Sequence, residues 1–255
     1  MISIYSSAFN LIKNNFDYEL SIQNFVKFAD EVVIAVNTSE DDTLEKVRRL
    51  ESLYNNLKII DCDYSYTDPL LDGKIKNFAL QNTTQDIKVS LDMDEYIPEW
   101  QKAMWFKLSL DLINDSARCY MIPSINLYKD NDHYFSITSK WYLHKSGLFR
   151  GAVNFAKNID GTIDTSKSDS CELLDNNGNL ASFKMLPNTI EDLRTNFHPF
   201  VIHTGYKSLQ NRVLRNKNFW INHWKIESGG IAPLHKVHES LAEFDEQPKI
   251  HGLYI

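Results

Sequence analysis

Apolar and polar positions along the first hundred residues alternate between two periods. Residues 2–6 form a short apolar run, a buried strand, and residues 18–29 set Leu20, Phe25, Val26 and Phe28 among polar positions as a helix on a sheet does. Residues 31–36 are β-branched and nearly all apolar, the pattern of a parallel strand covered on both faces. A polar loop over 37–42 leads into residues 43–54, where Leu44, Val47, Leu50, Leu53 and Tyr54 fall at helical spacing. Residues 57–61 read as a strand, 69–81 as a helix with Ile75, Phe78 and Ala79 inward, and 86–91 as a fourth strand. This β-α-β-α-β-α-β order predicts a mostly parallel sheet flanked by helices. Ligands of such sheets bind beyond the carboxyl ends of the strands.

The pattern changes after residue 97. Residues 98–113 form a helix with Trp100, Met104, Trp105, Leu108 and Leu112 on one side. Residues 117–128 and 134–143 alternate as strands, expected to be antiparallel. Residues 157–196 are rich in Asp, Asn, Ser, Thr and Lys and read as loop, with a short hairpin at Asn176-Asn177-Gly178-Asn179. A last strand is expected over 197–203 and a basic amphipathic helix over 208–224, while 229–255 carry little regular pattern. The expected organisation is one domain in three stretches: an alternating α/β half over 1–97, a smaller mixed half over 98–206, and a C-terminal helix and tail over 207–255.

Composition narrows the classes. At 255 residues with 43% hydrophobic and 12% aromatic content, the chain can bury a sizeable core. A net charge of −7 argues against nucleic acid as a partner, which asks for a basic face. Cys62, Cys119 and Cys171 are odd in number and widely spaced, so neither a zinc site nor a disulfide framework is expected. No run approaches the roughly 18 apolar residues of a membrane span, and residues 1–5 enter a strand with no signal-like prelude. The expectation is a cytoplasmic protein without a transmembrane segment, with peripheral membrane contact if its acceptor is lipid-linked.

The candidate chemistry sits at the end of the fourth strand, in Leu91-Asp92-Met93-Asp94-Glu95. Asp92 and Asp94, two apart on an extended chain, would point the same way. Paired carboxylates there suit a hard divalent cation, Mn²⁺ or Mg²⁺, bridging diphosphate oxygens. His203 follows Phe200-Val201-Ile202 and so also stands at the end of an apolar run, where a neutral imidazole suits a metal shell; His198 is the competing choice.

Four stretches together resemble glycosyltransferase family 2, of the GT-A fold. They are Ser6-Ser7-Ala8-Phe9-Asn10 after the first strand; residues 32–43, ending in Ser39, Asp41 and Thr43; Gly73-Lys74-Ile75-Lys76-Asn77 through Asp92-Met93-Asp94-Glu95; and His203-Thr204-Gly205-Tyr206. The resemblance implies a GT-A-like α/β fold and a metal-dependent transfer of a sugar from a nucleoside diphosphate donor to a glycan, lipid-linked or protein-linked hydroxyl, with inversion. It implies donor contacts from Ser6, Ala8, Phe9, Asn37, Lys74, Lys76, Asp92 and Met93, and metal contacts from Asp94, His203 and Asp92. The family's acidic residue at the end of strand two has no counterpart, since Val36 or Asn37 stands there. The general base such a transferase needs falls on Glu172 first and Asp169 second, with His238-Glu239 behind them. Trp141 and Tyr142 are candidates for an acceptor platform.

Two other enzyme classes fit less well. An aspartate-nucleophile phosphatase needs Thr or Val two residues past its second Asp, where Tyr96 stands, and a nucleotidyltransferase needs a Gly-rich basic first loop, which residues 6–10 are not. A catalytically degenerate module that only binds is the alternative to an enzyme.

Overall fold

The computed structural model describes residues 1–65, 68, 70–128, 130–151, 156–157, 163–164, 172–196, 198–205 and 249–253. The expected helix over 208–224, together with Asp169, Cys171 and His238-Glu239, lies outside them.

The chain begins β1 (Ile2–Ala8), α1 (Tyr18–Phe28), β2 (Glu31–Asn37), α2 (Thr43–Glu51), β3 (Leu57–Cys62), α3 (Leu71–Gln81) and β4 (Ile87–Ser90). β1 pairs in parallel with β2 and β4, and β2 with β3, giving the order β3-β2-β1-β4. Period-two alternation in β2 assigns its two faces. Val32, Ile34 and Val36 pack with Ile22 and Phe25 of α1 and Val47 of α2, whereas Val33 and Ala35 pack with Ile75 and Ala79 of α3. All of these side chains are buried, and each of the Val, Ile and Phe side chains contributes roughly 1.5–3 kcal/mol through removal from water.

The second half extends the same sheet. β5 (Glu95–Tyr96), α4 (Lys102–Asn114), β6 (Cys119–Leu127), β7 (His133–Lys145), β8 (Phe149–Gly151) and four short strands, β9 (Ala156–Lys157), β10 (Ile163–Asp164), β11 (Glu172–Leu174) and β12 (Phe183–Met185), lead to α5 (Ile190–Asn196), β13 (Val201–His203) and β14 (Lys249–Ile250). β7 is antiparallel to both β4 and β6, so the order continues β4-β7-β6-β13-β5. β12 joins β6 and β14 joins β7, making ten strands among the described residues. The architecture is therefore mixed α/β: a parallel block with helices on both faces, continued by antiparallel strands.

The expected hairpin at residues 176–179 is present. Asp175 Oδ1 accepts the Asn177 and Asn179 amides, and Gly178 takes a φ of +78°, which only glycine adopts without strain. Two expectations need correction. Residues 157–196 are not loop throughout, since β11, β12 and α5 form there. Their segments are too short to show a period, and β12 forms only because β6 offers it an open edge. The helix expected from residue 98 opens as a 3₁₀ turn over Glu99–Gln101 before α4 begins.

Candidate active site

Three helix- and strand-end segments meet beyond the carboxyl ends of β1, β2 and β4. The first loop is held by the Ser39, Asp41 and Thr43 series: Ser39 Oγ accepts the Asn10 amide at 3.1 Å, Thr43 Oγ1 the Leu11 amide and Asp41 Oδ2 the Lys13 amide, each at 2.8 Å. Burial works against the Asp41 carboxylate, but hydrogen bonds from the Thr43 hydroxyl and from the Lys13, Thr43 and Ile12 amides hold it below the usual range. The spacing that resembles a family motif is thus a clamp on residues 10–13. Asn37, expected to face a base or ribose, is buried, and its amide both accepts from the Tyr64 N–H and donates to the Tyr64 carbonyl. Ser6 Oγ donates to the Leu91 carbonyl at 2.5 Å, tying β1 to the acidic segment; Ala8 and Met93 are buried, and Phe9 is half-buried.

The acidic segment is a turn rather than an extended strand. The Glu95 amide donates to the Asp92 carbonyl at 3.0 Å, and the Asp92 amide donates back to Glu95 Oε2 at 2.9 Å. The turn sends the two aspartates to different partners. Asp92 Oδ1 lies 2.7 Å from Lys76 Nζ and its Oδ2 3.3 Å from Lys140 Nζ. Burial opposes ionisation of Asp92, but the two ammonium charges outweigh it and hold the carboxyl well below the usual range. Lys76 reaches it from the buried face of α3 and also meets Asp72 at 3.1 Å. Lys74, half-exposed, pairs with Asp68 instead.

Asp94 is buried, and its Oδ2 lies 3.0 Å from Nε2 of His203, itself buried. Sheet pairing brings them together. β13 lies between β6 and β5, so His203 stands opposite Asn126 on one side and Glu95 on the other. The next residue fixes the register, because both the amide and the hydroxyl of Thr204 donate to the Asp94 carbonyl, at 2.8 and 2.9 Å. The donor chemistry fits a small divalent cation: a buried carboxylate and a buried imidazole nitrogen stand 3.0 Å apart. Among the described residues no three or more of His, Cys, Asp and Glu gather as a metal cage.

Beside the turn lies a cavity of about 280 Å³, lined among others by Lys76, Asp92, Glu95, Lys140, Trp141 and Arg150. Tyr142 also lines it, so both residues of the expected platform border the space. Glu95 has no exposed surface; its Oε1 accepts from Tyr142 Oη and Lys140 Nζ, each at 2.5 Å. Burial disfavours the Lys140 ammonium, but Glu95, Tyr142 and Asp92 raise its pKa well above the ordinary lysine value.

Behind the cavity a buried relay supports Arg150. The Lys145 carbonyl can only accept, so His144 carries its proton on Nδ1, accepts Tyr5 Oη–H at Nε2 (2.9 Å), and leaves the Tyr5 oxygen to accept Arg150 Nε–H at 2.7 Å. Glu172 opens β11 directly opposite Gly151, one residue from Arg150. Lys140, Arg150, Tyr5 and His144 were not singled out by sequence reasoning. Lys140 and His144 come from β7, Tyr5 from β1 and Arg150 from β8, so no local pattern joins them, and they meet only once β7 lies against β4.

No family model and no curated protein matches the sequence. Solved structures resemble it in part. The chain is similar to S. aureus TarS 1-349, at 16% identity over 95% of this chain and 70% of that one, with a TM-score of 0.47. Against a longer S. aureus TarS chain it spans 42% of that chain. It is similar to mannosyltransferase PcManGT from Pyrobaculum calidifontis, in complex with GDP-Man and Mn²⁺, at 14% identity over 95% of this chain and 69% of that one, TM-score 0.47. It is also similar to glucosyl-3-phosphoglycerate synthase from Mycobacterium tuberculosis, in complex with Mn²⁺, UDP and phosphoglyceric acid. There the identity is 19% over 51% of this chain and 44% of that one, with a TM-score of 0.32. At these identities no residue's role carries over.

Proposed function

We propose that this chain is an inverting glycosyltransferase resembling family 2, which moves one sugar from a nucleoside diphosphate donor to a glycan, lipid-linked or protein-linked hydroxyl with Mn²⁺ or Mg²⁺. The observation that carries the reading is the Asp94–His203 pair at the ends of two apolar strands, beside a cavity walled by Lys76 and Lys140. Asp94 and His203 would hold the cation, which supplies positive charge to the departing diphosphate. Lys76, between Asp72 and Asp92, adds positive charge to the same wall, and residues 10–13 present a clamped loop to the nucleotide. The acceptor oxygen attacks the anomeric carbon as the bond to the diphosphate breaks. Its proton passes to a carboxylate, for which Glu172 is the first choice among described residues and Asp169 the second. The cytoplasm is the proposed site of action. Among the described residues no helix is long and apolar enough to cross a membrane, and a lipid-linked acceptor would be met at a membrane surface.

A thermal-shift series with UDP-, GDP- and dTDP-sugars, with and without Mn²⁺, tests this. One donor class should raise the melting temperature by a few degrees in a metal-dependent way, as mass action requires of a ligand that binds only the folded state. Asp94→Ala should abolish that shift and the transfer; full transfer by this variant in excess chelator sinks the proposal. The engaged Asn37 amide favours one second reading, a module that binds a donor without turning it over. Metal-dependent binding with no release of nucleoside diphosphate over hours would select it.

A further inference from the structure

We infer that Lys140 is a second phosphate-recognising cation of this site, acting beside Lys76 and independently of any metal. The inference rests on the glycosyltransferase reading. Lys140 comes from β7, far along the chain from the acidic segment, and the antiparallel pairing of β7 with β4 carries it over the turn that follows β4. Its ammonium bridges Asp92 Oδ2 and Glu95 Oε1. Glu95 has no exposed surface, whereas 36% of the Lys140 side chain is exposed and Lys140 lines the cavity. A ligand entering the cavity, which Lys140 lines, can reach that side chain, whereas the Glu95 side chain is fully covered. Lys76 stands on the other oxygen of Asp92 with only 8% of its side chain exposed. Asp92 thus acts as a bracket that spaces two ammonium groups along one wall. Two fixed cations a carboxylate apart match an anion with two charged centres, the two phosphates of a nucleoside diphosphate, better than a single charge.

The role is separable from that of the Asp94–His203 pair, because binding can be read in EDTA. The probes are UDP and GDP, with uridine and guanosine as uncharged controls, followed by calorimetry on the wild type, Lys140→Met and Lys140→Arg. The expected result is that Lys140→Met weakens the diphosphate about tenfold, leaves the nucleoside unchanged, and shows a shallower fall of affinity with salt. Lys140→Arg should recover most of the loss. Melting curves accompany each variant, since Glu95 loses a buried partner in Lys140→Met. A loss equal for nucleoside and diphosphate, or one that Lys140→Arg does not recover, means Lys140 only braces the turn and overturns the inference. Wild-type binding of diphosphate matched by Lys140→Met overturns it too, while leaving the glycosyltransferase reading standing. Failure of the wild type to bind either diphosphate, with or without Mn²⁺, overturns both.

Discussion

His144 shows how one side chain ties stability to pH. Burial, reinforced by the nearby Arg150 charge, pushes its imidazole down to about 3. The unfolded chain presents a histidine with a pKa of about 6.5. The unfolded state therefore binds the extra proton between these values. The stabilisation is complete above about pH 6.5 and is lost as pH falls toward 3, by at most ~1.4 kcal/mol per pH unit. His144→Gln can still accept from Tyr5 but cannot be protonated. Urea unfolding between pH 7 and 4.5 should show a shallower loss of stability in that variant than in the wild type, and equal slopes would contradict the buried neutral assignment. Asp92 works with the same sign in a more acidic window: its carboxyl is depressed by Lys76 and Lys140, so what it contributes is present above the ordinary carboxylate range and lost on acidification through its lowered value.

At the scale of elements, the loop after β1 and the start of α2 act as one unit. Three side chains spaced two apart accept three main-chain amides, so the loop cannot move without breaking all of them. Thr43 is buried, and Thr43→Val keeps its shape while removing the acceptor for the Leu11 amide. An unsatisfied buried amide should cost about 1–3 kcal/mol in urea denaturation, and the loosened loop should weaken donor binding. The sequence shows the Ser39, Asp41, Thr43 spacing plainly. It does not show that the spacing serves residues 10–13, because that depends on β1 and β2 pairing in parallel and in register. α3 is a similar case. Lys74 and Lys76 look equivalent in the sequence, yet two residues on a helix turn the side chain by about 200° at 3.6 residues per turn. One ends with Asp68 in partial exposure and the other with Asp92 at the cavity.

Across the whole molecule, the site depends on β13 returning, more than 100 residues after the acidic turn, to lie between β6 and β5. Phe200 anchors that return. It is fully buried beside Ile125, Leu127 and Ile202, its amide donates to the buried Gln101 Oε1 at 2.9 Å, and its ring meets Trp100 edge-on at 5.9 Å. Phe200→Ala should cost about 3–5 kcal/mol through lost burial and the cavity left behind. It should also weaken metal-dependent nucleotide binding, because His203 stands three residues on, and a thermal-shift titration reads both effects. Loss of stability with unchanged metal-dependent binding would show that His203 does not depend on this anchor.

Local periodicity by itself determined the parallel block β1 to β4 with its helices, the antiparallel character of β6 and β7, and Asp92, Asp94 and His203 as strand-end residues. Each of these follows from side-chain alternation or helical spacing within a few residues. Only the tertiary structure decided which partners those residues meet. Asp92 goes to two lysines and Asp94 to His203 because residues 92–95 close a turn, and because β13 and β7 are inserted on opposite sides of it. Such pairings are set by sheet edges and long-range register, and no period within a single segment encodes them.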